Sequence, residues 1–313
     1  MNPKLPPYVE FGARETTPSP FECNDGQFRG LVLEGDAKKI EDLCQRMLTV
    51  PARGMVEYRP LGHYVVLVVG PFAELRSMAP GFNAKGFVKE TQLSLWLPLA
   101  AGNNLGGLFV PERFVMACPY VFVDNPMSLL NGREEFGYAK AMGKFEPSNG
   151  LANKVEVTTF GGNFAQGNQA GWDQLLQVEL VNPGAPPGGP IEGPAEAMVV
   201  AITKALSGLG AAAGAVVLFV EGLLGGEVNQ VVLKQFRDAA NSTSACYQAV
   251  VEVPVVLSNV SLELSLSEEW QVTVTPLDSH PIDEELGVQT QTTLLSFTFG
   301  ANMILEPGQV VAP

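Results

Sequence analysis

The sequence predicts a strand-rich α+β protein, on three observations. Apolar residues recur in short runs or in polar–apolar alternation more often than at helical spacing. Gly (33) and Pro (24) together exceed the share of about 12% usual in globular chains, which favours many turns and short strands. The segments with helical spacing are few and lie between the strand-like runs.

Taken in order, GDAKKIEDLCQRMLTVP (35–51) reads as an amphipathic helix. Ile40, Leu43, Met47 and Leu48 form its apolar face, Asp36 caps it and Pro51 stops it. Strand-like runs follow at YVVLVVGPF (64–72), TQLSLWLPLA (91–100), YVFVDNP (120–126) and KVEVTTF (154–160). TQLSLWLPL alternates polar and apolar residues, the pattern of a half-buried strand. NPGAPPGGPIEGPA (182–195) is a Pro/Gly linker, and helices are predicted over 195–213 and 227–240. Strands return at 247–266, 269–277 and 292–305, and no long-period repeat is present. The chain reads as a single domain, 1–313, with residues 161–226 as an insertion.

With 46% hydrophobic and 17% charged residues, the 313-residue chain has ample material for a core. A net charge of −14 repels a phosphate backbone, so no nucleic-acid partner is expected. The four cysteines (Cys23, Cys44, Cys118, Cys246) form no C-x-x-C pair and suit a reducing cytoplasm. The N-terminal stretch lacks the apolar core of a secretory signal. ALSGLGAAAGAVVLFV (205–220) is uncharged but shorter than a spanning helix needs, so no membrane is expected. It reads as a buried or subunit-contact segment.

Most catalytic constellations fail on spacing. SGLGAAAG (207–214) supplies Gly208, Gly210 and Ala213 in dinucleotide-loop order. Residues 204–207 separate them from the preceding apolar run, however, and small-residue packing explains them better. His63 and His280 are the only histidines and lie far apart, which argues against a metal site. There is no G-x-S-x-G. What remains is Lys140, set among Tyr138, Ala139, Ala141 and Met142. An amine in such company is either a surface stem with its head in water or a group whose charged form is disfavoured by burial.

The stretch YVFVDNPMSLLNGREEFGYAKAMG (120–143) resembles the signature of the acetoacetate decarboxylase family. That signature is a strand ending in Asp-Asn, then Gly-Arg-Glu, then an aromatic residue, a proline and two lysines. Gly132, Arg133 and Glu134 match it, Tyr138 takes the aromatic place, and Lys140 takes that of the Schiff-base lysine. GFVKETQLSLWLP places the family's active-site glutamate on Glu90, and EEWQVTVTPLDSHPIDEEL resembles its Trp-led C-terminal strand. The likeness covers residues 28–160 and 230–305 in patches. The family's proline is Ala139 here and its second lysine is Ala141, so desolvation must carry more of the amine's activation, unless Lys144 turns back to act as the cation. The family's carboxylate-binding arginine falls on Gly26, with Arg29 the nearby alternative.

The resemblance implies a curved antiparallel sheet or open barrel around a buried pocket, with a helical insertion. It implies a cytoplasmic homo-oligomer that acts on a small keto acid without cofactor or metal. Lys140 and Glu90 are the expected catalytic residues, and Tyr138 and Arg29 the expected substrate-binding ones. The expected function is a Schiff-base-forming lyase that decarboxylates a β-keto acid; the alternatives are aldol or dehydration chemistry on the same lysine, and a non-catalytic binding or scaffold role.

Overall fold

Strands buried on both faces decide the architecture. In the run YVVLVV, Val65, Leu67 and Val69 pack into one core while Val66 and Val68 pack into another. A continuous apolar run is what two buried faces require. The computed structural model describes residues 7–9, 15–184, 217, 222, 226–265, 267–293 and 295–313.

Among the described residues, fourteen strands form one continuous sheet. In the first half they are β1 (Phe21–Glu34), β2 (Glu57–Pro60), β3 (Tyr64–Ser77), β4 (Val88–Leu105), β5 (Leu108–Val123), β6 (Lys140–Glu146), β7 (Lys154–Gly161) and β8 (Gly171–Asn182). In the second half they are β9 (Glu227–Arg237), β10 (Ala245–Ser265), β11 (Glu269–Val274), β12 (Gln291–Thr292), β13 (Leu295–Leu305) and β14 (Gln309–Ala312). Seven of them, β1, β3, β4, β5, β9, β10 and β13, pair in a ring that closes into a barrel. The ring is mixed, because β5 runs parallel to β9, with Met116 opposite Gln230. Beyond the barrel, β6 joins β5 in parallel and continues through β7, β8, β11 and β12 as a side sheet.

The helix α1 (Ala37–Cys44) forms where the periodicity predicts it and continues in a wider turn over Gln45–Thr49. Asp36 caps it by accepting from the Lys39 amide at 3.0 Å, and Ile40, Leu43 and Leu48 are buried. The larger core lies between the barrel wall and the side sheet, and contains Leu93, Leu95, Val157, Val178 and Trp270.

One expectation needs correction. Residues 227–237 form barrel strand β9, not a helix. Val228, Val231 and Val232 satisfy helical spacing, but Gln230, Val231 and Val232 are buried consecutively because both faces of the strand are covered. The sheet is dominated by antiparallel pairings, as expected, with β5–β6 and β5–β9 the parallel ones. Within the segment read as an insertion, β8 pairs with both β7 and β11 and is an interior strand of the side sheet. The helix predicted over 195–213 and the stretch 205–220 lie outside the described residues, apart from Val217.

Barrel closure at the short β5–β9 pairing is reinforced across β9. Arg113 on β5 donates from Nε and Nη2 to the two carboxylate oxygens of Glu252 on β10, at 3.0 and 2.6 Å. Tyr58 on β2 donates its hydroxyl to the same buried carboxylate at 2.9 Å. Removing Glu252 leaves the half-buried Arg113 guanidinium and the buried Tyr58 hydroxyl without their acceptor. Glu252→Ala is therefore expected to cost about 2 kcal/mol. Asp42→Ala, which breaks the exposed Lys38–Asp42 pair, is expected to leave stability essentially unchanged. Urea unfolding midpoints of the two variants against the parent check both expectations.

Candidate active site

Strand alternation builds one wall of the site. On β4, Leu93, Leu95 and Leu97 face the side sheet, while Glu90, Gln92, Ser94 and Trp96 face a cavity of about 90 Å³ inside the barrel. The polar face of this strand is thus turned inward, the reverse of what half-buried alternation implies. Opposite stand aromatic side chains from β1, β3 and β13. Phe28 meets Phe72 edge-on at 4.9 Å and stacks on Phe299 at 5.0 Å.

A local device after β5 brings the lysine to this cavity. Asp124 accepts from the Thr91 amide at 2.8 Å, and the Asn125 side chain donates to the Lys89 carbonyl at 3.0 Å. The pair therefore grips β4 on both sides of Glu90. Asn125 also caps the short helix α2 (Pro126–Asn131), accepting from the amides of Met127 and Ser128. The chain then winds through a wide turn, Gly132–Phe136, and leaves it at Gly137, whose φ of 98° is the left-handed closure glycine tolerates best. The amides of Gly137 and Tyr138 both donate to the Gly132 carbonyl at 2.9 Å. This delivers Lys140 as the first residue of β6, opposite Val121 of β5.

The result joins the two expected catalytic residues. Lys140 Nζ donates to Ser128 Oγ at 2.6 Å and stands 3.5 Å from Glu90 Oε2. The Lys140 side chain is 12% exposed and that of Glu90 1%. Burial pushes the Glu90 carboxyl above the ordinary carboxylate range. The Lys140 ammonium opposes that shift and Asp124 adds to it. Gly132 cradles the lysine stem, for a Cβ there would lie 2.6 Å from Lys140 Cδ and 2.8 Å from Cε. Arg133 donates to the Lys140 carbonyl at 3.0 Å and fixes the backbone at that point.

Tyr138 also lines the cavity. Among the described residues its hydroxyl is the one buried side-chain polar atom without a hydrogen-bond partner. Burial raises its proton affinity well above that of an ordinary phenol, so it stays a donor.

Arg29 is not in this site. Phe28 faces the cavity, and the next residue on the strand must face the other way. The Arg29 guanidinium lies 4.0 Å over the Trp270 ring and donates to the carbonyls of Leu151 and Ala152, tying the barrel to the side sheet. Burial lowers its pKa to about 10, which leaves it charged at neutral pH. Lys144 is likewise elsewhere, 3.7 Å over the Trp172 ring. Ser128, Asp124 and Asn125 carried no site assignment from the sequence. The one available signal was the N-cap spacing from Asn125 to Ser128. No cluster of three His, Cys, Asp or Glu side chains among the described residues is able to hold a metal.

No protein-family model matches the chain, and no curated protein matches it. Solved structures do. An acetoacetate decarboxylase from Legionella pneumophila aligns with a TM-score of 0.57 at 12% identity, over 99% of this chain and 93% of that one. The enduracididine biosynthesis enzyme MppR, complexed with the condensation product of pyruvate and imidazole 4-carboxaldehyde, aligns at 0.56 and 12%, over 99% of both chains. An acetoacetate decarboxylase-like enzyme from Sphingomonas wittichii RW1 aligns at 0.54 and 12%, over 97% and 98%. The chain has the acetoacetate decarboxylase-like fold.

Gly132 has helical dihedrals (φ −61°, ψ −40°), which alanine adopts without strain. Gly132→Ala should therefore fold with a melting temperature close to the parent's, while its methyl group pushes the flexible Lys140 stem aside. Misplacing a reacting group by about 1 Å can cost roughly a hundredfold in rate. A loss of that order is expected in reductive trapping of Lys140 by borohydride with a small carbonyl compound, measured by intact mass against time.

Proposed function

We propose that this protein is a Schiff-base-forming lyase that decarboxylates a small β-keto acid. One observation carries the reading: the Lys140 amine lies largely buried in a mainly apolar cavity, between the Ser128 hydroxyl and the Glu90 carboxyl. The amine must lose its proton before it attacks a carbonyl. Glu90 is near enough to take that proton, and its buried carboxyl binds one more readily than an exposed carboxylate does. Attack on the ketone carbon and loss of water give the protonated imine. The bond from the α-carbon to the carboxylate then breaks, its electron pair forms the enamine, and CO₂ leaves. Protonation of the enamine carbon and hydrolysis of the imine release the ketone and restore the amine, with one proton taken up overall.

In this reading Tyr138 is the substrate-binding donor, since its buried hydroxyl faces the cavity without a partner. Arg29 is left out because its guanidinium is committed to Trp270 and two carbonyls. A second reading uses the same imine for aldol or dehydration chemistry. It is favoured by the likeness to MppR, the protein solved with a condensation product of pyruvate.

Borohydride with acetoacetate is expected to add mass irreversibly to one residue, Lys140, found by peptide mapping. The adduct should vanish in Lys140→Ala. Glu90→Gln should keep the fold and lower kcat by about 10²- to 10⁴-fold, the usual worth of a positioned acid–base group. Adducts spread over several exposed lysines, unchanged in Lys140→Ala, would show the amine to be an ordinary one.

A further inference from the structure

We propose that Ser128 is a catalytic residue: its hydroxyl relays the proton that must pass from the Lys140 nitrogen to the substrate's carbonyl oxygen as the imine forms. The proposal rests on the Schiff-base reading above and assigns that site a further residue.

When a neutral amine attacks a ketone carbon, the nitrogen becomes cationic and the former carbonyl oxygen anionic. Both charges then stand in a mainly apolar cavity, where charge is costly. One proton must leave the nitrogen and one must reach the oxygen before water can depart. In the Schiff-base reading Glu90 already holds the proton taken from the ammonium. Its Oε2 is also 3.5 Å from Nζ, longer than a typical hydrogen bond.

Ser128 is better placed for the exchange. Its Oγ stands 2.6 Å from Nζ and accepts an N–H from it. The side chain is buried and lines the cavity, and among the described residues no acceptor takes the hydroxyl's own hydrogen. That hydrogen is therefore available to a group inside the cavity. An oxygen on the attacked carbon is only two bonds from Nζ, so it comes within hydrogen-bond reach of Oγ. Nitrogen, hydroxyl and alkoxide then close a ring through two hydrogens. The N–H proton moves to Oγ while the Oγ–H proton moves to the alkoxide, which gives the neutral carbinolamine and leaves Ser128 as it began. The serine needs no altered acidity, because it gains one proton as it loses the other. Run in reverse, the same relay serves hydrolysis of the product imine.

The fold holds the hydroxyl in place for this step. Asn125 accepts from the Ser128 amide at 3.2 Å and donates to the Lys89 carbonyl next to Glu90. Serine and carboxyl thus share one frame, and Gly132 confines the lysine stem that reaches into it.

Oxygen exchange tests the relay apart from carbon–carbon cleavage. Acetone and 2-butanone in ¹⁸O-labelled water exchange their oxygen through the carbinolamine and imine without losing carbon. Exchange by the purified protein is followed by mass spectrometry, corrected for the uncatalysed rate, with borohydride trapping at Lys140 measured alongside. Alanine is smaller than serine and favours a helix, so Ser128→Ala should melt near the parent. It is expected to slow exchange by about 10²-fold or more, the worth of an acid–base group. Ser128→Thr keeps a hydroxyl and should stay within about tenfold of the parent. Exchange in Ser128→Ala at the parent's rate, or in Ser128→Thr as slow as in Ser128→Ala, overturns the relay and leaves the Schiff-base reading standing. A parent that exchanges no faster than Lys140→Ala, and forms no Lys140 adduct, removes that reading and the relay with it.

Discussion

An amine and a carboxyl held together inside an apolar barrel are the constraint on which this structure turns. Lys140 and Glu90 stand 3.5 Å apart with little access to water. Charge in such a place is costly unless paired, and burial drives the Glu90 carboxyl toward its neutral form. The surrounding elements hold that pair in register. Asp124 and Asn125 bind β4 on both sides of Glu90 and start α2, which supplies Ser128. Gly132 leaves room for the lysine stem, and Arg133 holds the carbonyl above it. The Gly-Arg-Glu motif thus works mainly by positioning. Its glutamate, Glu134, is engaged outside the cavity by the Tyr8 hydroxyl.

Much of the architecture was legible because it follows from local rules. The α1 helix, its Asp36 cap and strands such as Lys154–Gly161 appear where periodicity places them. The errors came where burial is tertiary. Residues 227–237 carry helical spacing by accident of composition, and closure of the barrel through β9 overrides it. The alternation in TQLSLWLPL gave the strand correctly but not which face was wet, because a lined cavity looks like solvent to a sequence pattern. Gln92 and Ser94 therefore went unread as site residues. The same period-two logic turned Arg29 away once Phe28 was committed to the cavity. Lys140 stood out by its apolar neighbours, but Glu90 was legible only through a motif resemblance, since their contact joins residues fifty positions apart.

The aromatic wall gives the barrel its chemical character. Phe28, Phe72 and Phe299 occupy the space where a side chain from residue 26 would otherwise project. The cavity therefore gathers its acid and its amine in one place, at Glu90 and Lys140. Under the proposed function, the negative charge of the leaving carboxylate disappears beside the cationic imine as CO₂ forms.

The proposed chemistry needs a Glu90 carboxyl that binds its proton more tightly than an exposed one, next to the amine. Carbon-13 NMR of the glutamate side-chain carboxyls, with Glu90 assigned by its loss in Glu90→Gln, measures this directly as pH is varied. A Glu90 titration midpoint above the ordinary glutamate value of about 4.3 is expected. A midpoint at or below that value would mean a solvated or fully paired carboxylate, and would rule out the proposed proton exchange between Glu90 and Lys140.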